Sequence, residues 1–81
     1  MISGMVTVGV LGASGFVGAE LLRLLAGHPQ LKLGWATGDS QAGAEVGGLY
    51  PNLRAAYGDL VFRPFDLEMA SEVDLVFCAL P

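Results

Sequence analysis

The heptapeptide Gly12-Ala13-Ser14-Gly15-Phe16-Val17-Gly18 constrains the fold more than any other part of the chain. It joins an apolar run, Met5 to Leu11, enriched in β-branched Val6, Val8 and Val10, to a stretch from Phe16 to Ala26 in which Val17, Leu21, Leu24 and Leu25 recur at helical spacing. Gly27, His28 and Pro29 then stop that helix. A buried strand that passes into a helix through glycines can turn tightly, admit a ligand close to its backbone and let the helix pack against the sheet. The first amides of such a helix have no intrahelical acceptor, and the macrodipole there favours an anion. Two readings compete: a turn that binds nothing, and a cradle for a nucleotide diphosphate. The spacing is G-x-x-G-x-x-G rather than G-x-G-x-x-G, so the strand and helix on either side carry the second reading more than the glycines alone.

Beyond Pro29 the sequence predicts a second strand over Leu31 to Ala36, completing a right-handed βαβ unit. Periodicity is lost from Thr37 to Gly58, where glycine is frequent and Pro51 forbids a long helix, so a long loop is expected with one short helix around Ala42 to Gly47. Asp59 to Phe62 reads as a third strand ended by Pro64, and Asp66 to Ala70 as a short helix capped by Asp66. Leu75 to Leu80 is a continuous apolar run, suited to a parallel strand covered on both faces. The order β-α-β-loop-β-α-β is that of the first half of a Rossmann-type, doubly wound parallel α/β sheet. There the fourth strand lies beside the first, and ligands bind at their carboxyl ends. Leu80 and Pro81 are therefore expected near Gly12.

With 81 residues, of which 53% are hydrophobic, the chain carries more apolar surface than a domain of this size readily hides, and it reads as a truncated piece of a larger fold. The net charge is −4, and the only cations are Arg23, Lys32, Arg54 and Arg63, which leaves no basic stripe for nucleic acid. Met1 to Ala19 carries no charged side chain. It also lacks the positive start of a signal peptide, and its glycines disfavour a membrane span. The single cysteine excludes an internal disulfide and fits a reducing compartment. These features together predict a cytoplasmic protein with no membrane partner.

Residues just past the second strand of such folds meet the adenosine ribose. Asp39 there would accept from a free 2′-hydroxyl and repel a 2′-phosphate, whereas Thr37 and Ser40 can donate to phosphate oxygens, and a plain polar turn is the third reading.

Several segments taken together resemble the N-terminal region of the N-acetyl-γ-glutamyl-phosphate reductase family: Gly12 to Leu25, His28-Pro29, Thr37 with Ser40, Ala42-Gly43, Pro51-Asn52-Leu53 and Ala79-Leu80-Pro81. A related reductase family, acting on carrier-protein-linked aminoadipyl or glutamyl phosphate, is equally similar on these residues. Aspartate-semialdehyde dehydrogenase shares the glycine turn but usually lacks the other elements. The resemblance implies an NADP-dependent enzyme of arginine biosynthesis. It would reduce an acyl phosphate to a semialdehyde through a cysteine thioester, be assembled as a homo-oligomer, and have its catalytic and dimerisation domain, with the cysteine and histidine, beyond residue 81. Residues 1–81 would then be a partial NAD(P)-binding domain without catalytic residues. Carried over by position, Gly12, Ser14, Gly15, Phe16 and Val17 would hold the pyrophosphate. Thr37, Gly38, Asp39 and Ser40 would surround the 2′-phosphate, and Leu80 and Pro81 would border the crevice. The family often has a serine and an arginine where this chain has Gly38-Asp39, so NAD stays open beside NADP. Readings from other classes are a fragment of an extended short-chain reductase or epimerase, a nucleotide-sensing module without catalysis, and a small interaction domain.

Three further residues have bland readings. Cys78, inside an apolar run, is expected in the core. His28 is expected to finish the first helix, where positive charge suits the dipole. Tyr50, ahead of Pro51-Asn52-Leu53, either lines the substrate side or anchors the loop. One Cys and one His far apart make no metal ligand set.

Overall fold

In the computed structural model, which describes residues 5–80, three parallel strands form one sheet: β1 (Val6–Leu11), β2 (Leu31–Ala36) and β3 (Leu75–Cys78), in the order β2-β1-β3. The strand that follows the long excursion thus lies beside β1, as expected for the first half of a doubly wound sheet. Helix α1 (Phe16–Ala26) makes the crossover from β1 to β2.

Val8 and Val10 of β1 are fully buried, with Leu22, Leu25, Ala36, Val46, Leu53 and Phe62 in the same core. The face of α1 that enters it is Gly18, Leu22 and Leu25, rather than the one through Val17 and Leu24, both of which are exposed. Gly18 sets this rotation. A Cβ built on it would lie 2.4 Å from the Ala13 Cα, so α1 touches backbone just where it leaves the turn. The pairing of β1 with β2 runs Val8↔Leu33 and then Gly9↔Trp35, which leaves Gly34 unpaired as a bulge. The bulge brings Trp35 over Gly9, where no Cβ would fit under the indole, and its Nε1 donates to the Met69 carbonyl at 2.9 Å.

The helix stop falls where expected, by another mechanism for His28. Its Nδ1 accepts from the Gln30 and Leu31 amides at 3.0 and 3.1 Å. His28 therefore closes the turn through its ring nitrogen, as a hydrogen-bond acceptor.

The excursion after β2 is more ordered than the single short helix expected over Ala42 to Gly47. It holds α2 (Val46–Leu49), a 3₁₀ turn (Pro51–Leu53) and α3 (Arg54–Tyr57). The strand expected over Asp59 to Phe62 is reduced to isolated bridges, Glu45↔Val61 antiparallel and Thr37↔Arg63 parallel. Gly58, at φ +58°, bends the chain in, Pro64 follows, and the buried Phe62 pairs with the Ala44 and Gly43 backbone in between. That leaves a single residue, Arg63, to extend the sheet beside the end of β2.

Asp66 caps the next helix as predicted, its Oδ1 accepting from the Glu68 amide at 2.9 Å, but the helix is 3₁₀ (Leu67–Glu72). β3 forms an edge of the sheet. Leu75, Val76 and Cys78 are exposed, which corrects the expectation of a strand covered on both faces and of a core cysteine. Pairing with β1 alone leaves the other edge open, and of this strand only Phe77 reaches the core, half-buried.

Candidate functional site

The glycine turn sits at the carboxyl ends of β1 and β3. Gly12 has φ +73°, and a Cβ built there would meet the Leu80 Cδ2 at 2.7 Å, so two reasons require glycine. The turn is tied down from β2's end. The Gly12 amide donates to the Thr37 Oγ1 at 2.9 Å, the Ala13 amide to the Thr37 carbonyl at 2.7 Å, and the Thr37 amide to the Val10 carbonyl at 2.9 Å. Thr37 is accordingly only 5% exposed.

With Gly12 and Ala13 satisfied, and Gly15 making one long bond of 3.5 Å to the Gly12 carbonyl, the amides of Ser14, Phe16, Val17 and Gly18 have no backbone or side-chain acceptor among the described residues. The N-cap is Gly15, in an extended conformation, with no side-chain cap and no acidic residue in the first turn. An uncapped helix start without a nearby carboxylate leaves its partial positive charge for an external anion. Gly15, Phe16 and Val17 are exposed, Phe16 to 88%, so the amides are open to solvent-borne ligands. A crevice of about 300 Å³ beside them is lined by Gly15, Phe16, Val17, Cys78, Ala79 and Leu80. That volume is at the lower end for ligand sites and admits part of a dinucleotide.

The expected adenosine-end residues fall in two groups. A Cβ built on the buried Gly38 would lie 3.1 Å from the Ser14 Cβ, so the end of β2 abuts the turn. The Gly38 amide donates to the Arg63 carbonyl at 3.2 Å. Asp39 and Ser40 lie exposed just beyond. Thr37 faces the turn, with its hydroxyl engaged by Gly12. Leu80 closes on Gly12 from the β3 side, and Pro81 lies outside the described residues. The Arg63 guanidinium is paired with Glu72 at 2.9 Å, and Arg54 donates to the Gly47 carbonyl at 3.2 Å. Hydrogen bonding to Arg63 holds the Glu72 carboxyl below its ordinary range, and hydrogen bonding to Arg23 does the same for Glu20. These exposed pairs lie on the surface, and neither carboxylate is in the crevice lining.

Tyr50, whose role the sequence leaves open, reaches the turn. Its hydroxyl donates to the Ser14 carbonyl at 2.6 Å and lies 3.3 Å from the Gly15 carbonyl. Tyr57 ties the same excursion to α1 through the Leu22 carbonyl, and burial pushes its phenol up from the ordinary value. Asp74, not singled out from sequence, starts the β1–β3 pairing by accepting from the Thr7 amide at 2.9 Å. Aromatic side chains with a polar tip in a Gly/Pro-rich loop are a signal that such tethers exist, not of where they end.

The profile of the semialdehyde dehydrogenase NAD-binding domain matches residues 7–81, nearly the whole chain. The chain belongs to that family. N-acetyl-γ-glutamyl-phosphate reductase from Pseudomonas aeruginosa strain UCBPP-PA14 is 47% identical over 77 residues, which are 95% of this chain and 22% of that protein. The enzyme of the same name from Azotobacter vinelandii is 46% identical over the same shares. The chain thus spans about a fifth of the length of these relatives. Among solved structures, aspartate semialdehyde dehydrogenase from Candida albicans, crystallised with NADP, superposes with a TM-score of 0.79 at 26% identity, covering 96% of this chain and 24% of that one. As an NAD(P)-binding semialdehyde dehydrogenase domain, the chain matches the α/β fold and the family read from its sequence. No helix among the described residues is long and apolar enough to cross a membrane.

Proposed function

We propose that this chain is the cofactor-binding part of an NADP-dependent reductase that converts N-acetyl-γ-glutamyl phosphate to N-acetylglutamate semialdehyde. The observation that carries the cofactor half is the set of amides at Ser14, Phe16 and Val17, held open at a helix start between the ends of β1 and β3. The substrate half rests on the relatives' names at 46–47% identity, which favours this reaction over the aspartate-semialdehyde one.

In this reading the turn amides bind the diphosphate, Leu80 bounds the crevice beside it, and Gly38, Asp39 and Ser40 meet the adenosine end. Nicotinamide supplies hydride when the cofactor is bound. The nucleophilic cysteine and its histidine partner lie outside these residues, in the catalytic and dimerisation part of a cytoplasmic homo-oligomer. Cys78, on an edge strand beside the turn, is not that nucleophile.

The test uses the intact protein that carries this sequence. Isothermal titration with NADP and NAD, followed by NADPH oxidation assays with N-acetyl-γ-glutamyl phosphate and with aspartyl phosphate, should give dinucleotide binding and turnover of the first substrate alone. Binding of neither dinucleotide, or turnover of aspartyl phosphate instead, overturns the reading. Stronger binding of NAD than of NADP would assign Asp39 to the ribose diol and change the cofactor.

A further inference from the structure

The Tyr50 hydroxyl makes a short hydrogen bond to the glycine turn from outside the sheet. Tyr50 lies between α2 and the Pro51–Leu53 turn, in an excursion fixed on the core by buried Val46 and Leu53 and on α1 by Tyr57. Its ring is half-buried and its hydroxyl donates to the Ser14 carbonyl at 2.6 Å. A trans peptide is planar, with its C=O and N–H pointing opposite ways, so holding a carbonyl fixes the direction of the next residue's amide. The hydroxyl also lies 3.3 Å from the Gly15 carbonyl, whose peptide carries the Phe16 N–H. That second carbonyl is already held by the Ala19 amide at 2.9 Å, so the plane Tyr50 itself fixes is the Ser14–Gly15 peptide, which carries the Gly15 N–H.

Resting on the cofactor reading above, we propose that Tyr50 is a positioning residue of the dinucleotide site: it fixes the Ser14–Gly15 peptide plane at the entry to α1, between the open Ser14 and Phe16 amides, in the orientation that turns them to a diphosphate. Tyr50 touches no reacting group. Its effect is on affinity for the diphosphate moiety.

The test is Tyr50→Phe in the intact protein, which keeps the packed ring and removes only the hydroxyl. Isothermal titration is run with NADP and with adenosine 2′-monophosphate, which lacks a diphosphate, alongside the thermal midpoint. The loss of one hydrogen bond predicts an NADP Kd raised about 3- to 10-fold. Affinity for adenosine 2′-monophosphate should stay at the wild-type value, while the thermal midpoint falls by no more than about 2–4 °C, the cost of one partly buried hydrogen bond. Unchanged NADP affinity overturns the proposal. So does equal weakening of both ligands, which would mark Tyr50 as holding the fold in general and not the diphosphate site. Wild-type protein that binds no dinucleotide fails the cofactor reading itself, a result distinct from a variant that matches a binding wild type.

Discussion

Replacing Gly18 by alanine sets two physical effects against each other. Helix propensity alone predicts a gain of up to about 1 kcal/mol, because alanine loses less backbone entropy in a helix than glycine. The contact predicts the opposite. The new methyl would lie 2.4 Å from the Ala13 Cα and 2.7 Å from its carbonyl carbon and oxygen, all backbone atoms that no rotamer change can move aside. Restoring an ordinary carbon–carbon separation of about 3.5 Å requires the start of α1 to retreat by about 1 Å. Overpacking of this kind costs about 1–3 kcal/mol, and with rigid backbone on the receiving side the upper part of that range applies. The net expectation is a loss of about 2 kcal/mol. The same retreat carries the Phe16, Val17 and Gly18 amides away from any anion held at the turn, stretching hydrogen bonds past their useful range of about 3.2 Å. Dinucleotide affinity should fall about 10-fold or more. Thermal denaturation and isothermal titration of the intact Gly18→Ala protein read the two effects separately. A variant as stable as wild type, with wild-type affinity, would refute the close approach of α1 to Ala13.

Other expectations follow from single contacts. Thr37→Val, nearly isosteric, leaves the Gly12 amide without its acceptor and should cost about 1–3 kcal/mol, read by thermal or urea denaturation, with Thr37→Ser close to wild type. Asp66→Ala removes the cap on Leu67–Glu72 and should cost about 0.5–2 kcal/mol in the same assay, while leaving dinucleotide affinity unchanged. Burial raises the Tyr57 phenol above its ordinary 10.0, so its contribution is present in full below that pH and is lost as pH climbs through the higher folded-state value. Tyr57→Phe should flatten that alkaline fall in a series of denaturation curves against pH.

How far the sequence reaches depends on how far apart the interacting residues are. The turn, α1, β2 and the Asp66 cap are legible because each follows from neighbours within a few residues: apolar period, helix stop, side-chain acceptor. The strand expected at Asp59 to Phe62 failed because strand formation needs a partner edge, and Gly58 with Pro64 leaves only Arg63 free to pair with β2's end. Which side of α1 enters the core is not legible from its apolar spacing, because the contact of Gly18 with Ala13 helps to set it and a glycine adds nothing to hydrophobic periodicity. Cys78 is apolar in sequence context yet exposed, since an apolar run says nothing of whether its strand sits at the sheet edge. At the site, the glycines and the flanking helix were readable. The tethers that shape it were not, because Thr37 and Tyr50 come from 25 and 36 residues away along the chain.

In the proposed reading the open amides at the start of α1 receive a dinucleotide diphosphate. A crystal structure of the intact protein grown with NADP tests it most directly. Diphosphate oxygens are expected at about 2.7–3.2 Å from the Ser14, Phe16 and Val17 nitrogens, with Gly12 still bonded to the Thr37 hydroxyl. A diphosphate bound elsewhere, with those three amides left to water, would contradict it.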